Sequence, residues 1–311
     1  MFSLVVPVYR NEENVPALLD ACATLNARFG GEFEVVFVVD GSPDRSLQRL
    51  SDHLPRARFR SRLMALSRNF GPFAAMRAGL AVARGDIFAV MAADLQEPLE
   101  LMEKFFRALK NDDCDVAFGC RASRADPVLG RIASVTFWWC YRRFIQRDMP
   151  EGGIDVFACN RTFRDQLLSM RESNSSLVGL AVWMGYRRLE IPYARLKREE
   201  GRSAWTLRRK LRYFFDSVFS FSDLPFQILL LTGTVTVGVA LVLGVVVLIQ
   251  KLFGQIPVAG YAALVLMIMF FSGLQMVAFG VIGGYLFRTF ENTKGRPEYL
   301  IQSMRTYETE N

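Results

Sequence analysis

Apolar residues in the first 120 positions of the chain occur in short blocks with two different spacings. Continuous runs rich in β-branched residues predict buried strands at 2–8, 33–39, 62–66, 87–91 and 116–119. Apolar residues at helical spacing predict helices at 14–29, at 73–83 and in a segment that Pro98 opens. Strands that alternate with helices predict an α/β domain on a mostly parallel sheet, covered on both faces.

Two longer apolar segments follow in the last third of the chain. No charged residue occurs in 226–250 or in 252–287. Each segment exceeds the roughly 20 residues that a helix needs to cross a hydrocarbon core. The sequence therefore predicts a hairpin of two transmembrane helices, at about 226–250 and 261–287.

The positions of Lys and Arg predict how this hairpin is oriented. Basic residues cluster at 195–212 and again at 288–296, whereas Lys251 alone lies between the two spans. Because cytoplasmic flanks are rich in Lys and Arg, both termini are expected in the cytoplasm. The start of the chain, 1–9, has no signal-peptide pattern.

Four parts of the chain are expected from this pattern. They are a cytosolic domain at 1–205, a juxtamembrane interfacial helix at 206–225, the two transmembrane helices within 226–288, and a cytosolic tail at 289–311. The juxtamembrane segment combines an apolar stripe with a basic side, which is typical of a helix lying in the membrane interface.

Composition removes several classes of function. The single histidine argues against a multi-histidine metal site and against Ser-His-Asp catalysis, and five scattered cysteines contain no CxxC pair. A formal net charge of +7 suits an anionic partner. The cations cluster beside the predicted membrane spans and not along an aromatic groove, so no nucleic-acid partner is expected.

Polar and acidic residues follow four predicted strands, in the segments 7–13, 40–44, 67–71 and 92–98. Each alone is an ordinary turn, but together they lie at the carboxyl edge of the sheet, where such folds bind ligands. The chain has neither a GxGxxG fingerprint nor a Walker A loop. A nucleotide diphosphate would therefore need a divalent metal on carboxylate or amide oxygens, and Asp94 with Gln96 supplies such a pair.

These segments resemble the inverting family 2 glycosyltransferases of GT-A fold, which is Rossmann-like. The resemblance is specifically to the membrane-anchored polyprenyl-phosphate group, which includes dolichol-phosphate mannose synthase and the bactoprenol glucosyltransferases. The order and spacing of the matching segments make the resemblance specific. Those segments are 5–13, 39–44, 68–71, 93–98, 153–155, 198–205, 220–225 and 294–297.

The resemblance implies a role for each candidate residue. Asp155 is expected near the reacting sugar, and Arg121 and Arg198 are expected as catalytic residues that bind the acceptor or donor phosphate. Asp94 and Gln96 are expected to hold Mg²⁺ or Mn²⁺, and Asp40 to recognise the nucleoside. The donor and the phosphates are expected to contact Pro7, Tyr9, Glu12, Asp40, Ser42, Asn69, Gly71, Ala93, Arg124 and Arg202.

The function that the resemblance implies is metal-dependent transfer of a sugar, with inversion, from a UDP- or GDP-sugar to polyprenyl (undecaprenyl) phosphate. The reaction is expected at the cytosolic face of the inner (plasma) membrane, by a multi-pass protein in contact with lipids, and its product would serve modification of cell-envelope glycans. Small residues in the spans also make a homo-oligomer plausible.

Two departures from the family pattern keep alternatives open. Ala92 replaces the first Asp of the usual metal motif, and Ala204 replaces the usual Lys of the acceptor motif. The alternatives are a non-catalytic membrane protein that binds nucleotide sugars or acts as a scaffold, and a transferase to a different lipid acceptor.

Overall fold

The computed structural model describes residues 1–121, 138–139, 141–170, 176–196, 216–222, 224–253 and 260–308. The strands are β1 (Phe2–Val8), β2 (Phe33–Val39), β3 (Arg60–Leu66), β4 (Ile87–Val90), β5 (Val116–Arg121), β6 (Ile154–Asn160), β7 (Arg188–Tyr193) and β8 (Ile301–Tyr307). The helices are α1 (Val15–Arg28), α2 (Ser46–His53), α3 (Pro72–Val82), α4 (Leu99–Lys110), α5 (Arg161–Ser169), α6 (Leu177–Trp183), α7 (Leu224–Leu252) and α8 (Tyr261–Thr293).

The eight strands form one mixed sheet in the order β7-β5-β6-β4-β1-β2-β3-β8. Six strands run in one direction, whereas β6 and β8 are antiparallel to their neighbours. The predicted α/β fold with a mostly parallel sheet is confirmed. The first five strands and the first predicted helices differ from their predicted bounds by at most two residues, because their apolar runs mark them clearly.

Apolar side chains cover both faces of the sheet. Leu4 and Val6 of β1 pack into one cluster with α1 and α4, whereas Val5 packs into a second cluster with α3, α5 and α6. Successive strand residues point to opposite faces, so a central strand with helices on both sides must be apolar at nearly every position. This double covering leaves the strand ends as the open part of the sheet.

The chain returns to the sheet after α8, which the sequence did not predict. Strand β8 pairs antiparallel with β3 at the sheet edge. Nearby, Ser67 N donates a 2.9 Å hydrogen bond to Leu300 O, and Arg77 Nε lies 2.9 Å from Glu298 Oε2. The strand was missed because six of its seven residues are exposed, so it carries no continuous apolar run.

The two long C-terminal helices contain the predicted spans. In the part of the chain that the structure describes, the stretch Phe270–Thr293 is long and apolar enough to cross a membrane, by length and composition. Residues 216–221 are helical and contact α8: Arg288 Nη2 lies 2.7 Å from Asp216 Oδ1, and Phe219 packs on Tyr285. The remainder of the predicted interfacial helix, 206–215, lies outside the described residues.

Candidate active site

The candidate site lies at the edge of the sheet where the six parallel strands end and where antiparallel β6 begins. Arg121 is the last residue of β5, Tyr193 is the last residue of β7, and Asp155 is the second residue of β6. Arg121 and Tyr193 are register partners. Because β6 runs antiparallel to its neighbours, Asp155 near its start lies at the carboxyl ends of those neighbouring strands.

Asp155 is held by two partners at this edge. Arg121 Nη2 donates a 2.7 Å hydrogen bond to Asp155 Oδ1, and Arg121 Nε donates to Oδ2. Tyr193 OH donates a 2.8 Å hydrogen bond to Oδ2 as well. About a quarter of the Arg121 and Asp155 side-chain surface is exposed, 22% and 26%, so a ligand can reach the pair.

The electrostatics of this group keep Arg121 cationic and Tyr193 neutral. Burial lowers the pKa of Arg121, but the hydrogen bond and charge of Asp155 outweigh burial and raise that pKa. Burial, and then the charge of Asp155, raise the pKa of Tyr193 well above its ordinary value. Tyr193 is therefore a permanent hydrogen-bond donor to the carboxylate at neutral pH.

The turn after β4 carries the predicted metal ligands. Gln96 N donates a 3.4 Å hydrogen bond to Asp94 Oδ1, so the two residues lie on one tight turn. The side chain of Gln96 is engaged elsewhere: its Nε2 donates to Leu196 O at 3.2 Å, and its Oε1 accepts from Arg195 Nη2. Ala93, expected beside the donor, is buried in this turn.

This donor set fits a cation that also binds the substrate. Among the described residues, no group of three His, Cys, Asp or Glu side chains could hold a metal ion. Asp94 would supply one hard carboxylate to such a cation, and Gln96 Oε1, which accepts from Arg195 in this structure, would supply a second oxygen if released. Mg²⁺ is commonly held by one or two carboxylates together with substrate phosphates, which is the arrangement this turn permits.

A second acidic residue of the same turn was missed by the sequence analysis. Glu97 is only 3% exposed, and its Oε2 accepts a 3.1 Å hydrogen bond from Ala92 N. Burial, followed by the charges of Asp94 and Asp155, raises the pKa of Glu97 to about 7. Its position in the segment 92–98 was the available signal, but an acidic residue before Pro98 looks like an ordinary helix start.

Asp40 connects the loop after β2 with the loop after β3. Its Oδ1 accepts a 2.7 Å hydrogen bond from Phe70 N, and its Oδ2 accepts a 2.9 Å hydrogen bond from Gly71 N. Asn69 Nδ2 donates to the Asp40 carbonyl oxygen at 3.2 Å. Burial raises the pKa of Asp40 despite these hydrogen bonds. Three predicted donor-binding residues, Asp40, Asn69 and Gly71, are therefore brought together.

The loop after β1 is tied to the loop after β2 in a similar way. Ser42 Oγ accepts a 2.8 Å hydrogen bond from Arg10 N, and Glu12 Oε2 accepts a 2.8 Å hydrogen bond from Arg45 N. Asp44 Oδ2 accepts from Glu12 N at 3.1 Å. A cavity of about 310 Å³ lies between these loops. Predicted residues Glu12 and Ser42 are therefore linked through Asp44, since Glu12 N and Ser42 Oγ both donate to its carboxylate.

The remaining predicted residues fall into two groups. Pro7 lies within β1 opposite Val38, and Tyr9 follows the strand with the Arg10 guanidinium over its ring, 5.5 Å from the centroid. Arg124, Arg198 and Arg202 lie outside the described residues. Sequence reasoning also missed Tyr193 and Arg195, since neither belongs to a motif and both reach the site only through the pairing of β7 with β5.

A mixed, mostly parallel sheet with polar loops at its carboxyl edge and an acidic turn after β4 defines a GT-A type of sugar-transferase domain. The model of the family described as "Glycosyl transferase family 2" matches residues 3–170, more than half of the chain. The chain belongs to glycosyltransferase family 2, and it is a nucleotide-sugar glycosyltransferase.

Relatives match nearly the whole chain. The undecaprenyl-phosphate 4-deoxy-4-formamido-L-arabinose transferase of Klebsiella pneumoniae is 29% identical over 306 residues, 96% of this chain and 92% of the relative. Uncharacterized glycosyltransferase YkcC of Bacillus subtilis is 29% identical over 314 residues, 100% of this chain and 95% of the relative. These similarities extend through the two long C-terminal helices.

One solved structure supports the fold. Glucosyl-3-phosphoglycerate synthase from Mycobacterium tuberculosis, crystallised with Mn²⁺, UDP-glucose and phosphoglyceric acid, superimposes with a TM-score of 0.50. The match covers 70% of this chain and 77% of the other at 15% identity, so it bears on the fold alone.

Proposed function

We propose that this glycosyltransferase moves a sugar, with inversion, from a nucleotide-sugar donor to polyprenyl phosphate, and that undecaprenyl phosphate is the acceptor. The observation that carries this proposal is the Arg121–Asp155 pair, a cation and a carboxylate that are each about a quarter exposed on the same sheet edge as the Asp94 turn. The relatives named for undecaprenyl phosphate, which match this chain almost end to end, support the choice of acceptor.

The chemistry is a single displacement at the anomeric carbon. An acceptor phosphate oxygen forms the new bond to that carbon while the bond to the nucleoside diphosphate breaks, and the diphosphate carries away the electron pair. A phosphate monoester has a second pKa near 6, so at neutral pH the acceptor is already largely dianionic. It needs positioning more than deprotonation, and a guanidinium that binds two oxygens at once supplies that positioning.

Each side of the site has a separate task in this proposal. The loops tied together by Asp40 and Glu12 bind the donor nucleotide, and Asp94 with Gln96 would hold a divalent cation on the diphosphate. That cation would offset the charge that develops on the leaving group. Arg121 binds the acceptor phosphate, and Asp155, oriented by Tyr193, faces the reacting sugar.

The membrane placement follows the same reasoning. An acceptor with a polyprenyl tail stays in the bilayer, so the enzyme must hold its sheet edge at the membrane surface. The apolar stretch Phe270–Thr293 and the contact of Arg288 with Asp216 support an anchor directly beside the domain. We propose that α7 and α8 both cross the inner membrane, with the domain in the cytoplasm, as the Lys and Arg distribution predicts.

The test is transfer from a panel of radiolabelled UDP- and GDP-sugars to undecaprenyl phosphate by the full-length protein in detergent. Reactions contain Mg²⁺, Mn²⁺ or EDTA. A labelled lipid that disappears with EDTA is the expected result, and it would also identify the sugar. Ala92→Asp provides a matched variant, because a second carboxylate in the turn should lower the metal concentration needed for half-maximal transfer.

Two other results would redirect the assignment. Nucleotide binding without transfer to any lipid would favour a binding or scaffold role, for which Ala92 in the metal motif is the motivating feature. Transfer to a diacylglycerol in place of a prenyl phosphate would keep the enzyme class and change the acceptor.

A further inference from the structure

The guanidinium of Arg121 is already bound to a carboxylate in this structure. Its Nη2 donates to Asp155 Oδ1 at 2.7 Å and its Nε donates to Oδ2, so the two planar groups form a two-pronged pair. Guanidinium presents the same pair of donors to phosphate oxygens as to carboxylate oxygens. The Asp155 carboxylate therefore lies where one edge of a phosphate monoester would bind.

We propose that Asp155 competes with the acceptor phosphate for Arg121, and that the acceptor binds by displacing this carboxylate from the guanidinium. This inference rests on the proposed function, since it takes the acceptor to be a phosphate monoester. It adds an exchange step that neither the family match nor the relatives assign.

The charges around Arg121 and Asp155 favour replacement of the carboxylate by the phosphate over binding of both anions to Arg121 at once. Asp94 and Asp155 both act electrostatically on the buried carboxyl group of Glu97, against the opposing charge of Arg195, so the acidic groups near Asp155 outnumber that cation. A dianionic phosphate that joined Asp155 on the Arg121 guanidinium would add two negative charges beside these acidic side chains. Like charges repel more strongly where water is partly excluded, so exchange of the two anions is favoured over sharing.

Tyr193 gives the displaced carboxylate a fixed position. Its OH donates to Asp155 Oδ2 at 2.8 Å, and the side chain is only 5% exposed at the end of β7. When phosphate takes the guanidinium, this hydrogen bond keeps Asp155 beside the reacting groups. Binding of the acceptor thereby releases Asp155 from Arg121 at the moment when the sugar is to be transferred.

Binding of farnesyl phosphate to the full-length protein in detergent, without donor, tests the inference by calorimetry. Asp155→Asn keeps the shape of the side chain and removes its charge, so the competitor is lost. We expect farnesyl phosphate to bind about tenfold more tightly to this variant, because the guanidinium no longer has a resident anion. Transfer turnover should fall in the same variant. Farnesol, which lacks the phosphate, should bind both proteins equally.

Glu190→Gln is the matched control for a general change in charge. Glu190 is exposed on β7 and, like Asp155, acts electrostatically on Cys120. Burial, followed by the charges of Glu190 and Asp155, raises the pKa of Cys120 to about 12. Its loss should change the affinity for farnesyl phosphate less than twofold. A gain equal to that of Asp155→Asn would overturn the exchange in favour of diffuse electrostatics.

Asp155→Ser serves as a second neutral variant, should the Asn protein fold poorly. The inference is overturned if the neutral variants bind farnesyl phosphate no more tightly than the wild type. It is also overturned if neither the wild type nor the variants bind farnesyl phosphate at all. Failure of the proposed function is a separate result. Tighter phosphate binding by Asp155→Asn, with no sugar transferred to any prenyl phosphate by the wild type, would sustain the exchange and reject the acceptor.

Discussion

A β-carbon placed on Gly41 would lie 2.2 Å from the carbonyl carbon of Arg68 and 2.3 Å from the backbone nitrogen of Asn69. Gly41 also has a φ of +54°, in the left-handed region. The loops after β2 and β3 therefore meet backbone to backbone, and the Asp40 carboxylate is held against Phe70 N and Gly71 N as a result. The donor side of the site depends on this approach.

Gly41→Ala is expected to destabilise the fold by about 3 kcal/mol or more, because the new methyl group meets backbone that cannot move aside. Gly30→Ala is the control: its φ of +63° is similar, but a β-carbon there has nothing within 4 Å. The control should cost only about 1 kcal/mol, from backbone conformation alone. Unfolding of the two variants in detergent measures the difference, and equal losses would contradict the steric explanation.

Asp40→Asn should cost about 1–3 kcal/mol and weaken binding of UDP or GDP, because the amide NH₂ would face a backbone N–H that now donates to a carboxylate oxygen. Asp52→Asn, at an exposed position of α2, is the matched control and should leave both quantities unchanged. Unfolding midpoints and nucleotide titration are the measurements. Normal stability with lost nucleotide binding would instead indicate direct contact of Asp40 with the nucleoside.

Tyr193→Phe should lower kcat roughly ten- to hundredfold and change the donor KM little, since the hydrogen bond that orients Asp155 is lost while the donor loops are untouched. Steady-state transfer kinetics provide both values. Tyr186→Phe is a suitable control, because that ring packs on Phe163, away from the pair. A proportionate rise in donor KM would point to a general distortion of the site.

Glu97 predicts a pH dependence of stability. Its carboxyl pKa rises from an ordinary value of 4.5 to about 7 on folding, so the folded state holds a proton that the unfolded state loses. Stability should therefore fall between about pH 4.5 and 7, by up to about 3 kcal/mol, and level off above that range.

Glu97→Gln should remove this slope, because the amide stays neutral and its oxygen can still accept from Ala92 N. The variant is expected to be more stable than the wild type at pH 8 and about equal at pH 4.5. Thermal unfolding in detergent with EDTA measures both. An unchanged slope would assign the pH dependence to other groups.

Sequence patterns were strongest where burial is complete. Strands β1 and β2 are apolar on both faces because helices cover both, so their bounds could be predicted from composition along the chain. The polar segments after the strands indicated the edge of the sheet that carries the site. Strand β8 could not be predicted, since an exposed edge strand has no apolar period.

By itself the sequence determined the α/β domain, the long apolar segments, the family and the ligand edge, because all of these depend on local residue spacing. Only the tertiary structure decided which side chains contact Asp155 in the site. Antiparallel β6 brings Asp155 to Arg121, and the pairing of β5 with β7 adds Tyr193, although 72 positions separate Arg121 from Tyr193. Hydrogen bonds between strand ends depend on the order of the strands in the sheet and on their register. Neither can be inferred from the spacing of residues along a single strand.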